Sequence, residues 1–157
     1  MKKISLQFIF LVTILIVFIA CDKNLVFYKY QPIPKSGWDN DSLLVFDIPV
    51  ADTIQNHNLF INVRNDIRYK YSNLWLFIDI IQPGGTTLTD TFEIKLAAPS
   101  GKWLGKGFGG VKTCETIYKK NIFFPVSGDY KIEIQQGMRE NVLKGITDIG
   151  VKLEKQK

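Results

Sequence analysis

The chain has 157 residues, a formal charge of +5 and two cysteines, a size that fits one domain able to bury a core without disulfides. The charge drops to +3 if Lys2 and Lys3 leave with an export signal, and several of the remaining lysines sit in the tail VKLEKQK. Basicity spread this thinly makes no stripe of the kind that binds nucleic acid, so nucleic acid is excluded as an expected partner.

In chain order, the first element is MKKISLQFIFLVTILIVFIA, two lysines and then an apolar run from Phe8 to Ala20. That run is about thirteen residues long, whereas a helix spanning a bilayer core needs about twenty. Residues 1–20 therefore read as a signal peptide and not as a transmembrane anchor. Ala20 precedes Cys21, and a small residue directly before a cysteine is where bacterial lipoprotein signals are cut and the cysteine takes a thioether-linked diacylglycerol. Cys21 is the expected lipid attachment site, tying the chain to a membrane. Cys114 is then left without an intramolecular partner and is expected as a small buried residue of a strand.

Residues 21–42 read as the lipidated cysteine and a tether, because KYQPIPKSGWDND is rich in proline, glycine and polar residues and holds no sustained period. The acidic WDND inside it lacks the glycine and distal glutamate of a calcium loop. Residues 43–157 read as the folded domain, a run of short strands: LLVFDI, HNLFINVR, LWLFIDII, TLTDTFEIKL after the turn QPGG, VKTCETIY, NIFF ended by Pro125, DYKIEIQQ and TDIGVKLE. About eight strands at near-regular spacing predict a mostly β domain, a single antiparallel β-sandwich of Ig-like or jelly-roll-like type. GMRENVLKG is open between one helical turn and a wide loop.

LWLFIDII is apolar on both faces, with Leu74, Leu76, Ile78 and Ile80 on one side and Trp75, Phe77 and Ile81 on the other. A sandwich strand should show water one polar face, so the Trp75 and Phe77 row needs a cover. Either the segment from Asp22 to Asp41 folds over it or a partner does. In AAPSGKWLGKGFGG the glycines permit turns, and the loop either presents Trp103 and Lys106 as a contact surface or is a plain long turn. Its literal G-x-G-x-x-G precedes a strand and so is no dinucleotide fingerprint.

No catalytic set stands out. The single histidine, His57, reads as a surface or turn residue, and no nucleophile-elbow pattern accompanies it. Softer ligands are too few for zinc. The strand carboxylates Asp79, Asp90, Glu93, Asp129 and Glu133 read as a polar solvent face, with a glycosidase-like pair as the competing possibility. No catalytic residue, cofactor, metal or small-molecule ligand is expected. A glycan-binding surface lipoprotein, using Trp38, Trp75 and Trp103 as a stacking platform, is the alternative to a protein-contact role.

An ordered set of strings then resembles one family, the gliding-motility lipoproteins called GldH of the Bacteroidetes: Asp52-Thr53, NLFINVRN, YKYSNLWLFI, WLGKG, YKKNIFFP, QGMR and GITDIG. The resemblance implies a non-catalytic envelope lipoprotein, outer membrane favoured over inner, that serves the gliding apparatus and is linked to type IX secretion. Its implied partners are other gliding and secretion proteins of the envelope.

Overall fold

Alternation of apolar and polar side chains decides most of the structure, a computed structural model that describes residues 23–156. Cys21, the expected lipid site, and residues 1–20, read above as a signal peptide, lie outside the described residues. The expected strands are β3 (Leu44–Val50), β4 (His57–Asp66), β5 (Asn73–Ile81), β6 (Thr87–Lys95), β7 (Val111–Ile122), β8 (Gly128–Gln136) and β10 (Ile146–Lys155). Three more join them: β1 (Leu25–Pro32), and the two-residue β2 (Trp38–Asp39) and β9 (Val142–Leu143), which pair with each other. The segment GMRENVLKG thus contains β9 and no helical turn.

The long strands nest like a folded ribbon, outermost with outermost: β1 pairs with β10, β3 with β8, β4 with β7 and β5 with β6, all antiparallel. Winding that ribbon sets β10 beside β4 in one sheet, ordered β1-β10-β4-β7, and β8 beside β5 in the other, ordered β3-β8-β5-β6. Two four-stranded sheets connected in this way form a jelly roll, which settles the choice between the two sandwich types. The core between them takes Leu59, Ile61, Val63, Ile149, Val151 and Leu153 from the first sheet, and Phe46, Leu74, Leu76, Ile78, Ile132 and Ile134 from the second. Pro32 and Pro49 lie in β1 and β3, edge strands of their sheets, where a missing N–H breaks no interior ladder.

Three sequence readings need correction. The stretch read as a tether to residue 42 is largely structure, because the sheet begins at Leu25 and Tyr28, Tyr30 and Pro32 pair with Lys152, Gly150 and Asp148. VKTCETIY and NIFF do not form two strands. β7 runs on to Ile122 past Asn121, whose φ of 56° is one that asparagine tolerates and whose N–H donates to Asn58 Oδ1 at 3.2 Å. His57 is no surface residue: it is 0% exposed and meets Phe124 edge-on at 5.3 Å, while Phe124 meets Tyr130 at 4.8 Å. Cys114 is half-buried and packs against the core from β7, its Sγ 3.7 Å from the Lys95 carbonyl.

Burial has a consequence for His57. Desolvation holds its imidazole below the ordinary value of 6.5, the Asp52 carboxylate pulling it up and Lys155 pushing it down. The unfolded chain therefore takes the proton first as pH falls. Stability carried by the neutral ring is complete above the unfolded pKa of 6.5 and drains below it, by at most about 1.4 kcal/mol per pH unit. Urea midpoints measured between about pH 7.5 and about pH 5 should fall in the native protein and stay level in His57→Phe. Equal slopes in the two would show that other groups carry the effect. Asp52 does not confuse the window, because Lys155 and the backbone N–H groups of Ile54 and Gln55 hold its carboxyl far below its ordinary 3.8.

Candidate functional site: the far end and one outer face

Strand direction gives the domain two unlike ends. β1 starts at the end where β3 stops and β4 starts, and there Asn24, Asn56, Lys155 and Gln156 are joined by backbone hydrogen bonds. The opposite end gathers four connections, residues 33–43, 67–72, 96–110 and 137–145. The glycine-rich loop belongs to this far end.

That loop is more than a long turn. Ala97 bridges Trp103 and Lys106 bridges Thr113, so the chain doubles back along the start of β7. Gly105 is required there, since a Cβ would lie 2.8 Å from the Thr113 carbonyl oxygen, and Gly107 holds a φ of 145° against Val111. Lys112 Nζ donates to the Gly107 carbonyl at 2.7 Å, and the Ile67 N–H reaches Gly110 at 2.9 Å, tying the loop to the β4–β5 connection. Trp103 is half-buried and packs on the core, while Lys106 is exposed. Leu104 and Phe108 are exposed as well, with Ile67 and Val111 nearby in the fold, and the sequence reading missed all four. Phe108 carried a usable signal: an aromatic between Gly107 and Gly109 has no neighbouring side chain to pack on.

Beside this loop runs an open groove whose rim includes Lys35, Arg68, Lys70 and Lys144. Part of that charge is already answered. Arg68 grips Asp66 through Nη2 at 2.6 Å and Nε at 3.0 Å, which lowers the Asp66 pKa to about 2. Lys70 lies 3.8 Å from Glu140, which also accepts the Tyr71 hydroxyl at 2.7 Å.

The two outer faces of the sandwich differ in kind. On the β1-β10-β4-β7 sheet the aromatic rings carry cations: Arg64 lies 4.0 Å over Tyr30 and Lys152 4.3 Å over Phe60. Lys152 also bridges Glu115 and Glu154 at 2.8 and 3.1 Å, and Tyr30 lies across Gly150, where any Cβ would meet its ring at 2.7 Å. Cations and ion pairs thus dress Tyr30 and Phe60 on this face, while Tyr28 and Ile117 on it stay 49% and 38% exposed.

The other sheet carries the row singled out from sequence. Leu74, Leu76, Ile78 and Ile80 point into the core, while Trp75 and Phe77 remain 39% and 46% exposed. β1 does not cover them, because it is bound to the opposite sheet, and the segment after it reaches this face only at Asn40, whose carbonyl accepts from Gln135 beside Phe77. Phe77 lies over Gly137, whose absent Cβ leaves the ring its seat, and the Trp75 N–H points to Met138 Sδ at 3.4 Å. Their cross-strand neighbours are polar: Glu93 beside Trp75, Thr91 and Gln135 beside Phe77.

The remaining candidates separate. Trp38 is 1% exposed and its indole N–H donates to the Ser42 carbonyl at 3.1 Å, so Trp38, Trp75 and Trp103 form no common stacking platform. Among the strand carboxylates, Asp79 and Glu133 stand opposite each other on β5 and β8. Asp90 is held by Lys119 and the Tyr118 hydroxyl, and Glu93 accepts from Asn73 Nδ2 at 2.7 Å. Among the described residues no group of three His, Cys, Asp or Glu side chains is placed to hold a metal ion.

Comparison with known proteins agrees on one family. A family profile described as GldH lipoprotein matches residues 25–153. The chain is 44% identical over 162 aligned positions to "Gliding motility lipoprotein GldH homolog" of Christiangramia forsetii, covering 99% of this chain and 98% of that protein. It is 38% identical to "Gliding motility lipoprotein GldH" of Flavobacterium johnsoniae, covering 90% and 91%. Among solved structures, the VP2 subviral particle of infectious bursal disease virus aligns with 85% of this chain and 33% of its own at a TM-score of 0.40 and 13% identity. That likeness is too distant to bear on function.

Proposed function

The chain belongs to the GldH lipoprotein family, and from that premise we propose that it is a non-catalytic assembly subunit of the gliding-motility machinery, lipidated at Cys21 and linked to type IX secretion. The observation that carries the reading is the pair of aromatic side chains on one strand, Trp75 and Phe77, held part-exposed on an outer face. One broad face sets cations over Tyr30 and Phe60 and leaves Tyr28 and Ile117 part-exposed among those charges. The other leaves Trp75 and Phe77 exposed in a polar surround.

Aromatic anchors rimmed by polar side chains are the usual anatomy of a protein contact, and a few such residues carry most of the binding energy. The far-end loop adds Leu104, Lys106 and Phe108 as a second exposed group. The domain's partners in this reading are envelope proteins of the motility and secretion apparatus, and the outer membrane is its favoured site. The glycan-binding alternative loses its footing with Trp38 in the core.

Affinity purification of the tagged full-length protein from native membranes tests the proposal. Motility or secretion proteins of the envelope are expected to come along under mild detergent. Recovery of the protein by itself, from cells that contain the apparatus, would overturn the assembly role.

A further inference from the structure

We infer that the near end of the sandwich is a membrane-contacting surface, on which the domain stands upright with its glycine-rich loop turned away from the bilayer. The inference rests on the lipid anchor at Cys21. Only three residue steps separate Cys21 from Asn24, a reach of at most about 11 Å for an extended chain. Asn24 is fixed to the fold, its carbonyl accepting the Lys155 N–H at 2.8 Å. With β1 starting at Leu25 the domain has almost no tether, and whatever lies around Asn24 sits close to the lipid surface.

What lies there is apolar and projecting. The connection from β3 to β4 puts Ile54 at its tip, 88% exposed, and the connection from β7 to β8 exposes Phe123 by 55% and Val126 by 52%. Leu25 is exposed beside them at the start of β1. Each of these loops is braced from behind. Asp52 accepts the N–H groups of Ile54 and Gln55 and the Lys155 ammonium, the last at 2.8 Å, and the Val126 carbonyl accepts the Tyr130 hydroxyl at 3.0 Å. Rigid loops that hold large apolar side chains in water have a reason to do so when the tips enter the interfacial zone of a bilayer.

The exposed Lys23 and Lys120 lie at this end, where anionic headgroups attract lysine, with the exposed Asp129 beside them and the carboxylate of Asp52 neutralised by its ion pair. The exposed side chains of the far end, Phe108 and Leu104, are separated from this surface by the eight residues of β1, roughly 26 Å of strand. They remain free for a protein.

The test uses the full-length lipidated protein with Cys114→Ser, reconstituted in vesicles of phosphatidylethanolamine and phosphatidylglycerol. Three variants carry a single environment-sensitive fluorophore, on Ile54→Cys, Phe123→Cys or Phe108→Cys, and the vesicles contain nitroxide lipids as quenchers. Quenching is expected to be several-fold stronger at positions 54 and 123 than at 108. Replacing Ile54, Phe123 and Val126 together with serine should leave flotation with the vesicles intact, because the acyl chains persist, and should abolish the quenching contrast at a label placed on Lys120→Cys. Flotation without stronger quenching at 54 and 123 than at 108 overturns the upright contact while leaving the anchor standing. Failure to float in the unsubstituted protein overturns the anchor and this inference with it.

Discussion

Trp75→Ser combined with Phe77→Ser is expected to leave the domain folded and to abolish recovery of its partners. Both side chains stand on the outer face of β5 and keep 39% and 46% of their surface in water, so the folded state loses only part of two contacts when they go. The core row of the same strand, Leu74, Leu76, Ile78 and Ile80, is untouched. A loss of about 1–2 kcal/mol for the pair is the expected scale, well inside a domain's usual total of about 5–15 kcal/mol. At an interface the same truncations cost more, because buried aromatic anchors reach about 2 kcal/mol or above each.

The measurement is therefore double: a urea midpoint on the purified domain and the yield of co-purifying proteins from membranes. A shifted midpoint with undiminished partner yield would assign the two side chains to the domain's own packing, as with the Phe77 ring over Gly137. Phe46→Ala provides the contrasting case, since that ring is fully buried and its removal should cost about 3–5 kcal/mol.

The long strands were legible because each has one face against the core, which forces a two-residue period into the sequence. β1 was not, because an edge strand that fully buries none of its own side chains imposes no such period, and a bulge between Leu25 and Phe27 breaks what alternation there is. β2 and β9 are two residues each and exist only as partners of one another. Trp38 shows the same limit from the side-chain end. A tryptophan among proline, glycine and aspartate reads as exposed, and its burial depends on β9, which arrives far along the chain. His57 was misread for a related reason: the Phe124 ring that meets it edge-on lies far along the chain and is no neighbour in sequence.

The candidate surface was half legible. An apolar row on both faces of β5 is a local property, so Trp75 and Phe77 could be singled out before any fold was known. That β1 does not cover them is a matter of topology, since it pairs with β10 on the opposite sheet. Trp103 and Lys106 were placed in the right loop, but the loop folds Trp103 inward and Leu104 and Phe108 outward.

Cys21→Ser is expected to stop the protein at its precursor, heavier by residues 1–20, and to release whatever is cleaved from tight membrane association. A serine hydroxyl is a far weaker nucleophile than a thiolate and is not the group that takes diacylglycerol. Anchoring follows from chain count: each buried methylene contributes about 0.8 kcal/mol, one acyl chain gives marginal and reversible binding, and two or more hold. The exposed Ile54, Phe123 and Val126 cannot replace that, because three side chains at the interface bury far less hydrocarbon than a diacylglycerol. They orient a domain that the lipid has already brought to the surface. Size analysis by electrophoresis and membrane fractionation check the result together. A cleaved, lipid-free Cys21→Ser protein that still sediments with membranes would reject the lipid as the anchor and transfer that role to the near-end loops.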